Sequence, residues 1–283
     1  MTSFDSILIT GGTGSFGQAF VRYLLANTKI PRICIFSRGE HTQASMRQAL
    51  GDNPRLRWLI GDVRDDERLY RAMYGVDAVV HAAALKRIET GAYNPEEMIK
   101  TNVLGVMNVV EAACASSSVQ HVVGLSSDKA YQPVSPYGQS KALGESILLA
   151  ANTTHNGPRF SAARYGNIWC AQGSVVPKWR GLIAAGATEV PVTDMECTRF
   201  FMTVDQAVQL VWDMLMRKYN QDLVIPDWLP AYRMGDLVEA MGVKANVSGL
   251  PAWEKLHESM RDGLSSDTAR RMTIEELKQW LSE

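Results

Sequence analysis

Several features that would assign a protein to a class are missing from this sequence. Its 283 residues include 29 basic and 30 acidic side chains, a formal net charge of −1. There is thus no positive excess for binding nucleic acid or an anionic membrane. No apolar run approaches the roughly eighteen residues of a membrane-spanning helix. No basic segment precedes the first apolar residues, so we predict no signal peptide and a cytoplasmic location.

Clustered cysteines and repeats are also missing. Cys34, Cys114, Cys170 and Cys197 are far apart and have no metal-ligand spacing. We therefore predict reduced thiols and no metal site. No internal repeat or low-complexity tract interrupts the chain.

What the sequence does contain is an alternation of short apolar segments with helical patterns. The segments predict strands at residues 6–10, 32–36, 56–60, 77–81, 121–125 and 160–165. Such alternation is typical of a parallel, doubly wound α/β sheet, whose ligands bind at the C-terminal strand ends. Less regular pieces follow, with helices predicted at 204–216 and 234–241 and a strand at 223–226. We predict a dinucleotide-binding domain over 1–165, interleaved with a smaller substrate-binding lobe over 166–283.

The first predicted strand ends in a glycine-rich turn that opens a helical pattern. Glycine permits a tight turn and lets a phosphate approach the backbone, and a helix N-terminus favours its negative charge. The turn therefore predicts a dinucleotide cofactor. The residues expected to hold it here are Gly11, Thr13, Gly14, Ser15, Phe16 and Gly17.

The end of the second predicted strand bears on the choice between NADP and NAD. An NAD site usually has an acid here for the ribose 2′-hydroxyl, whereas this strand ends in Ser37 and Arg38. A guanidinium suits a 2′-phosphate by charge and geometry, so the sequence predicts NADP. NAD is the alternative, with Arg38 a surface charge and Glu40 or another group at the ribose.

Three further positions lie just beyond the third and fourth predicted strands. Asp62 either accepts a hydrogen bond from the adenine amino group or caps the next helix. Small residues from Ala82 onward leave room for a dinucleotide across the strand tips. Lys86 faces either the substrate or the solvent.

The densest group of reactive side chains follows the fifth predicted strand, in residues 126–141. It contains an acid, two amines and a phenol, namely Asp128, Lys129, Lys141 and Tyr137. Tyr137 and Lys141 are four apart and share one face of a helix. A phenol, with a pKa of about 10, acts as a base when nearby positive charge lowers that pKa. Lys141 and the cationic nicotinamide of the cofactor would supply the charge. We predict proton-transfer chemistry here; the alternatives are a solvated Asp-Lys turn and a core tyrosine.

These features together resemble the extended short-chain dehydrogenase/reductase family. The shared residues are the glycine turn, Asn102, and Tyr137 with Lys141. A longer series over residues 6–258 resembles the soluble, inverting UDP-N-acetylglucosamine 4,6-dehydratases that begin pseudaminic acid and related pathways. It comprises Ser37-Arg38, Ala83–Lys86, Tyr93–Glu96, Lys100–Val103, Ser127–Ala130, Arg164–Asn167, Gly173–Pro177, Thr198–Phe200 and Glu254–Glu258. Asp128-Lys129 is its most specific part, since retaining dehydratases of the glucose type carry Asp-Glu there.

The resemblance implies roles for further residues and a homo-oligomer, a dimer or higher, formed through the helices after Asn94 and Tyr137. The implied cofactor contacts are Thr13–Phe16, Ser37–Thr42, Asp62, Val63, Ala82, Tyr137 and Lys141. The implied contacts to the nucleotide sugar are Lys86, Leu125, Ser126, Asn167, Val175, Arg199 and Glu254.

The resemblance also implies a mechanism: oxidation at C4 of the sugar, loss of water across C5 and C6, and return of the hydride to C6. Tyr137 would take the C4 hydroxyl proton, with Ser127 hydrogen-bonded to the C4 oxygen. Lys129 would remove the C5 proton that the ketone acidifies, and Asp128 would protonate the departing hydroxyl. We expect Lys129 to begin neutral and Asp128 protonated, as partial burial would favour. Reprotonation of C5 from the opposite face would invert it.

The sequence departs from the family pattern in four places. Gly39 stands where Asp is common, and the tail after Glu258 is short. Residues 169–172, Trp-Cys-Ala-Gln, replace a small basic loop. Residues 250–253, Leu-Pro-Ala-Trp, replace an Arg-Pro-Gly run and remove an arginine that faces the nucleotide diphosphate. The last change bears on the identity of the sugar and nucleotide more than on the reaction type. We expect Trp169 or Trp253 to line the pocket.

Other functions stay open. One is a neighbouring sugar-nucleotide activity: a 4-epimerase, a 5,6-dehydratase or a retaining 4,6-dehydratase. An epimerase needs Tyr137 and Lys141 but no elimination pair. Another is a non-catalytic NADP-binding sensor, which needs neither residue. We expect His81, His121 and His257 to be structural.

Overall fold

The computed structural model describes residues 4–282, which contain fourteen strands and eleven α-helices. The strands are β1 (Ser6–Thr10), β2 (Arg32–Ser37), β3 (Leu56–Ile60), β4 (Ala78–His81), β5 (His121–Leu125), β6 (Arg159–Ala163), β7 (Asn167–Ile168), β8 (Glu189–Val192), β9 (Thr198–Met202), β10 (Leu223–Val224), β11 (Ala231–Arg233), β12 (Lys244–Val247), β13 (Ser259–Arg261) and β14 (Leu264–Ser265). The helices are α1 (Ser15–Asn27), α2 (Glu40–Leu50), α3 (Asp66–Ala72), α4 (Ile88–Tyr93), α5 (Pro95–Ile99), α6 (Gly105–Ala115), α7 (Pro136–Thr154), α8 (Val175–Ala184), α9 (Val204–Leu215), α10 (Met234–Met241) and α11 (Ile274–Ser282). A π-helix spans Lys100–Leu104 and a 3-10 helix spans Asp128–Ala130.

Seven strands form one sheet in the order β10-β6-β5-β4-β1-β2-β3, and every neighbouring pair is parallel. The chain runs outward from β1 to β3, crosses back to β4, and then runs outward to β6. This confirms the predicted doubly wound α/β sheet. Because all the strands point the same way, the predicted ligand positions after β1, β2, β3, β4 and β5 meet at one edge.

Side chains of the central strands alternate between two apolar layers. Ile7 and Ile9 pack with the cluster that includes α1 and α9, whereas Leu8 packs with the cluster on the opposite face. Helices α3, α6 and α7 cover that second face. Burying a side chain of this size stabilises the fold by about 1.5–3 kcal/mol, so the two layers hold the strand ends in register.

A third apolar cluster marks the smaller lobe. It contains Val176, Trp179, Phe201, Tyr232 and Leu237, all buried. A three-stranded sheet, β11-β9-β7, and the parallel pair β8 and β12 lie in this part of the chain. Strand β9 was not predicted. Strand β10 and helix α9 follow residue 165 but pack on the main sheet. The division of the chain into a domain over 1–165 and an interleaved lobe over 166–283 therefore stays a prediction.

Helix α7 begins earlier than the sequence pattern indicated. The pattern predicted a start near Lys141, whereas the helix starts at Pro136. Ser135 caps it, since its hydroxyl accepts a hydrogen bond from the Gly138 backbone N–H at 3.0 Å. Proline at the first helical position costs no hydrogen bond. Both Tyr137 and Lys141 therefore lie in the first turns of one helix.

Among residues 4–282, no helix is long and apolar enough to cross a membrane. The expected absence of a leader concerns residues 1–6, of which 1–3 lie outside the described part of the chain. The four cysteines are free, and the described residues include no group of three His, Cys, Asp or Glu side chains arranged for a metal ion.

Candidate active site

A large cavity, of about 1110 Å³, follows the C-terminal edge of the main sheet and reaches the smaller lobe. The predicted cofactor residues that line it are Gly11, Thr13, Gly14, Ser15, Phe16, Gly17, Ser37, Arg38, Asp62, Val63, Ala82, Tyr137 and Lys141. The predicted substrate residues that line it are Lys86, Leu125, Ser126, Asn167, Val175, Arg199 and Glu254. Of the predicted catalytic residues, Ser127, Lys129, Tyr137 and Lys141 line it, but Asp128 does not.

The glycine-rich turn is shaped to receive a phosphate. Gly11 has a φ of +66°, and a Cβ built there would lie 2.7 Å from the backbone nitrogen of Ala83. A Cβ at Gly17 would lie 2.6 Å from the Cα of Gly12. Helix α1 follows with no side-chain cap and no acid in its first turn. Its first N–H groups are therefore free to donate to a bound anion.

Arg38 and Asp62 lie close together where the cavity passes the ends of β2 and β3. A second arginine, Arg64, also pairs with Asp62. Asp62 Oδ2 lies 2.7 Å from Arg64 Nη2 and 3.7 Å from Arg38 Nη1. Burial opposes ionisation of Asp62, but hydrogen bonds from Arg64 and the positive charge of both arginines outweigh it and lower its pKa. Asp65, not Asp62, caps α3, since its side chain accepts from the Arg68 N–H. Of the two predicted alternatives for Asp62, capping is therefore wrong.

Ser37 Oγ lies 3.0 Å from Gln43 Nε2, which donates to it. Arg38 is half exposed at 54% and reaches no carboxylate more closely than Asp62. Its guanidinium is thus available to a ligand at the end of β2. This arrangement is compatible with both of the predicted cofactors.

We call the turn after β5, residues 126–131, the catalytic turn because it carries the predicted acid and base. Backbone hydrogen bonds attach its first residues to the end of β6 and the segment that follows it. The Ser126 N–H donates to the Ala163 backbone oxygen at 2.7 Å, and the Asp128 N–H donates to the Tyr165 oxygen at 3.0 Å. Asp128 and Lys129 follow one another in the 3-10 turn at Asp128–Ala130 but differ in exposure. Asp128 is fully buried, whereas Lys129 lines the cavity.

Asp128 and Lys129 are in direct contact. Lys129 Nζ lies 3.1 Å from Asp128 Oδ1 and 3.1 Å from Asn167 Oδ1. Ser127 Oγ donates to the same Asp128 oxygen at 2.9 Å. The other oxygen, Asp128 Oδ2, is buried and has no hydrogen-bond partner. A carboxyl group in this position is costly to ionise.

The pKa shift of Asp128, but not that of Lys129, has the direction that the sequence analysis expected. Burial raises the pKa of Asp128, and the charge of Glu258 adds to that. Burial disfavours the charge of Lys129, but the carboxylates of Asp128 and Glu258 outweigh it and raise its pKa. The expectation that Lys129 begins neutral is therefore wrong for the protein alone, because a second carboxylate, missed in the sequence, lies beside it.

Lys141 does not act on Tyr137 as expected. Lys141 Nζ donates to the Leu125 backbone oxygen at 2.5 Å. Burial raises the pKa of Tyr137, and the opposing influences are the charge of Lys129 and a hydrogen bond from Ser127. Burial lowers the pKa of Lys141 to about 8. In the protein alone the pKa of Tyr137 is thus raised, contrary to the predicted lowering, and Lys129 rather than Lys141 supplies the main opposing charge.

The part of the cavity lined by the predicted substrate residues contains a hydroxyl group without a hydrogen-bond partner and an ion pair. Ser126 Oγ is buried and has no hydrogen-bond partner, so it is available to a ligand. Arg199 Nη2 lies 2.5 Å from Glu254 Oε1, and the Arg199 side chain is almost fully buried. In the protein alone, these two predicted substrate residues are therefore paired with each other. Val175 is the first residue of α8.

Both tryptophans at the departures from the family pattern, Trp169 and Trp253, line the cavity as expected. Trp169 packs against Phe201 and Tyr232, with ring centroids 5.2 and 5.9 Å apart. The Gln172 N–H donates to Ser15 Oγ at 3.1 Å, which ties this loop to the glycine-rich turn.

Positive charge is present at the substrate end although the family's arginine is missing. Lys86, Arg87 and Lys178 line that end of the cavity. Burial and the charge of Arg87 lower the pKa of Lys86. Lys178 Nζ lies 3.4 Å from Glu89 Oε1.

The histidines have structural partners, as expected. His81 Nδ1 and Thr10 Oγ1 are 2.8 Å apart, and His121 Nε2 and Ser161 Oγ are 2.8 Å apart. His257 Nδ1 lies 2.8 Å from Thr198 Oγ1.

Glu258 and Lys255 belong to the site but were given no role from the sequence. Glu258 Oε1 lies 3.3 Å from Lys129 Nζ, and Glu258 Oε2 lies 3.2 Å from Lys255 Nζ. Both residues line the cavity. They stand in the segment 254–258, which carried the resemblance. Sequence spacing could not show that this segment returns to Lys129.

Comparison with known proteins identifies the family of the chain. Residues 7–278 match the model of the polysaccharide biosynthesis protein family. The UDP-N-acetylglucosamine 4,6-dehydratase (inverting) of Campylobacter jejuni serotype O:2 is 42% identical over 271 residues, which are 94% of this chain and 79% of that protein. The UDP-glucose 4-epimerase of Rickettsia canadensis is 44% identical over 211 residues, which are 73% of this chain and 61% of that protein.

Solved structures agree on the fold. Pen from Bacillus thuringiensis is 30% identical, covers 98% of each chain and superposes with a TM-score of 0.90. The dTDP-glucose 4,6-dehydratase DesIV from Streptomyces venezuelae is 21% identical, covers 98% of this chain and 96% of its own, and has a TM-score of 0.82, a likeness of fold alone. The chain therefore belongs to the polysaccharide biosynthesis protein family, within the extended short-chain dehydrogenases/reductases, and its relatives there include the inverting UDP-N-acetylglucosamine 4,6-dehydratases.

Proposed function

We propose that the protein is an NADP-dependent hydro-lyase, a UDP-N-acetylglucosamine 4,6-dehydratase that inverts C5. The observation that carries the proposal is the contact between Asp128 and Lys129, 3.1 Å apart beside Tyr137. A redox enzyme needs only Tyr137 and Lys141, whereas removal of water needs an acid and a base at the same sugar. The relative from Campylobacter jejuni supports the choice of substrate.

The residues present fit a dinucleotide. The turn at Gly11 and Gly17 leaves no room for side chains, and the N-terminus of α1 has free N–H groups for phosphates. Arg38 favours a 2′-phosphate, and no acid ends β2, so we propose NADP. A bound NADP would supply the hydride acceptor for oxidation of C4 and the hydride donor for C6.

Two groups serve the oxidation of C4. Tyr137 takes the proton of the C4 hydroxyl, for which its phenol must first be ionised. The charge of Lys129 and the Ser127 hydroxyl already favour the ionised form, against burial. Ser127, which lines the cavity, hydrogen-bonds the C4 oxygen.

Elimination uses the buried pair. Lys129 first passes its ammonium proton to the Asp128 carboxylate, 3.1 Å away. The resulting amine removes the C5 proton, and Asp128 supplies its new proton to the departing C6 hydroxyl, which leaves as water. Burial raises the pKa of Asp128, which favours the protonated form that a general acid needs. Because Asp128 does not line the cavity, its proton reaches the C6 hydroxyl through Ser127 or Lys129. These are the two groups that are hydrogen-bonded to its Oδ1. Reprotonation of C5 from the opposite face gives the inverted product of a pseudaminic-type aminosugar pathway.

The test is incubation with UDP-N-acetylglucosamine in D₂O, followed by mass spectrometry and NMR. We expect loss of one water, deuterium at C5 and the L-arabino 4-keto sugar. Intact substrate without label would overturn the proposal. Retention at C5, or a 5,6-ene, would correct the stereochemistry or the position of elimination. The cofactor that copurifies identifies NADP or NAD.

A 4-epimerase is the second candidate, because the Rickettsia canadensis relative bears that name. Such an enzyme would return a sugar nucleotide of unchanged mass with an inverted C4. The same incubation, repeated with UDP-glucose, separates the two activities. The Asp128-Lys129 contact favours elimination, since epimerisation has no step that uses it.

We also propose a cytoplasmic homo-oligomer. Neighbouring helices expose large apolar side chains, with Ile99, Leu104, Met107 and Leu143 each 45–53% exposed. Exposed apolar side chains grouped in this way are typical of an interface. Leu143→Glu should yield monomers in analytical ultracentrifugation, while Val247→Glu, at a similarly exposed position elsewhere, should not. Cell fractionation tests the location.

A further inference from the structure

Lys129 is held by a second carboxylate as well as by its neighbour in the sequence. Glu258 Oε1 lies 3.3 Å from Lys129 Nζ. Glu258 is 2% exposed, so the contact is shielded from water and salt. The C-terminal part of the chain thus contributes a charge to the catalytic turn.

Glu258 is fixed in place by its backbone. Its N–H donates to Ser266 Oγ at 2.9 Å, and the Ser266 N–H donates back to the Glu258 oxygen at 2.8 Å. Lys255 lies 3.2 Å from Glu258 Oε2, and its ammonium donates to the Tyr131 oxygen at 2.7 Å. The segment is therefore anchored to the catalytic turn at two points.

Among the charged groups around Lys129, Glu258 has a different role from Asp128. The groups that act on Lys129 are Asp128 and Tyr137 from the catalytic turn and α7, Arg199 from β9, and Glu258. Burial favours the neutral form of Asp128. Burial also opposes ionisation of Glu258, but Lys129, Arg199 and Lys255 together lower its pKa. Glu258 is the carboxylate that stays charged beside the Lys129 ammonium.

We propose that Glu258 is a positioning residue for the elimination step. It holds Lys129 Nζ between Asp128 and Asn167 and balances the ammonium charge while Asp128 carries the proton for the leaving group. The inference deepens the proposed dehydratase function and rests on it. Asp128 can then serve as the acid without leaving Lys129 unpaired.

The first test needs no substrate. Trace labelling with acetic anhydride across pH 6–11, read by peptide mass spectrometry, reports the protonation of the Lys129 amine. In Glu258→Gln the charge is lost but the shape is kept, so we expect Lys129 to become reactive at a pH at least about one unit lower, a tenfold change in proton affinity. An unchanged labelling profile would overturn the inference.

The second test separates position from charge. Glu258→Asp keeps the carboxylate but withdraws it by one methylene. We expect elimination to slow by about tenfold or more, as misplaced catalytic groups do, while C4 oxidation, seen as cofactor reduction, is kept. Equal loss of both steps would indicate a merely structural role, and no loss would remove the positioning role; this variant also serves if Glu258→Gln does not fold.

The control is Asp236→Asn, which removes a carboxylate from an ion pair of the same lobe, 2.7 Å from Arg233. It should leave both the labelling of Lys129 and elimination unchanged. If the wild-type protein does not dehydrate UDP-N-acetylglucosamine, the proposed function fails. The labelling result still decides whether Glu258 controls the charge of Lys129.

Discussion

The ammonium group of Lys141 donates to the backbone oxygen of Leu125, the last residue of β5, at 2.5 Å. The contact joins the first turns of α7 to the sheet edge where the cavity opens. It leaves a charged amine buried with a single carbonyl partner. Burial therefore lowers the pKa of Lys141 to about 8, against the weak opposing charge of Glu145.

Lys141 should make the stability of the protein depend on alkaline pH. In the unfolded chain its pKa is about 10.4, so between about pH 8 and 10.4 the unfolded state binds more protons than the folded one. Stability linked to this group is complete above that range and is lost as pH falls through about 8. Relative to Lys141→Met, the wild-type protein should gain up to about 3 kcal/mol of unfolding free energy across this window.

Urea titrations at half-unit pH steps measure this difference. Lys29→Met, at an exposed lysine, is the matched control. Parallel stability curves for the wild-type protein and Lys141→Met would contradict the prediction.

His81 should weaken the fold in mild acid. It is 3% exposed and hydrogen-bonded to Thr10, and burial, with the charge of Lys141, lowers its pKa to about 3. The unfolded histidine takes up a proton below pH 6.5, so stability falls as pH decreases from there towards 3, by up to about 1.4 kcal/mol per pH unit. His81→Asn should have a shallower slope in urea titrations between pH 6.5 and 4.5. An identical slope would exclude this role.

Lys129 and Tyr137 should separate the two halves of the proposed reaction. Lys129→Ala should lower water loss by about 10²–10⁴-fold, the usual contribution of a general base. C4 oxidation, seen as cofactor absorbance in a single turnover, should persist. Tyr137→Phe should abolish both water loss and the absorbance change, because oxidation of C4 precedes elimination. Lys218→Ala, at a 60% exposed lysine, is the control; wild-type water loss in Lys129→Ala would remove the base assignment.

Arg38 should decide the cofactor preference. Its guanidinium is 54% exposed at the end of β2 and lies 3.7 Å from Asp62. A hydrogen bond to a charged group contributes about 1.5–3 kcal/mol, so Arg38→Ala should weaken NADP binding by about ten- to a hundredfold and leave NAD binding nearly unchanged. Calorimetric titration measures both. Arg47→Ala, at a 59% exposed arginine paired with Asp52, controls for lost surface charge. Equal loss for NADP and NAD would contradict the prediction.

The order of the sheet and the place of the cavity could be predicted because they follow from local patterns. Short apolar runs, helical periodicity and a Gly11-Gly14-Gly17 turn act over a few residues each. Parallel strands then bring their C-terminal ends to one edge without further information. The boundaries were less certain: the cap at Ser135 started α7 five residues before its apolar pattern, and β9 has no period of its own.

The amino-acid sequence by itself determined which reactive groups stand next to each other in the chain: Asp128 beside Lys129, and Tyr137 four residues before Lys141. Only the tertiary structure decided their protonation, because a pKa depends on burial and on charges brought from distant segments. Glu258 favours the charged form of Lys129, and the Leu125 oxygen accepts a hydrogen bond from the Lys141 ammonium group. Both partners reach their places through the packing of the lobe and the sheet, which local spacing does not encode.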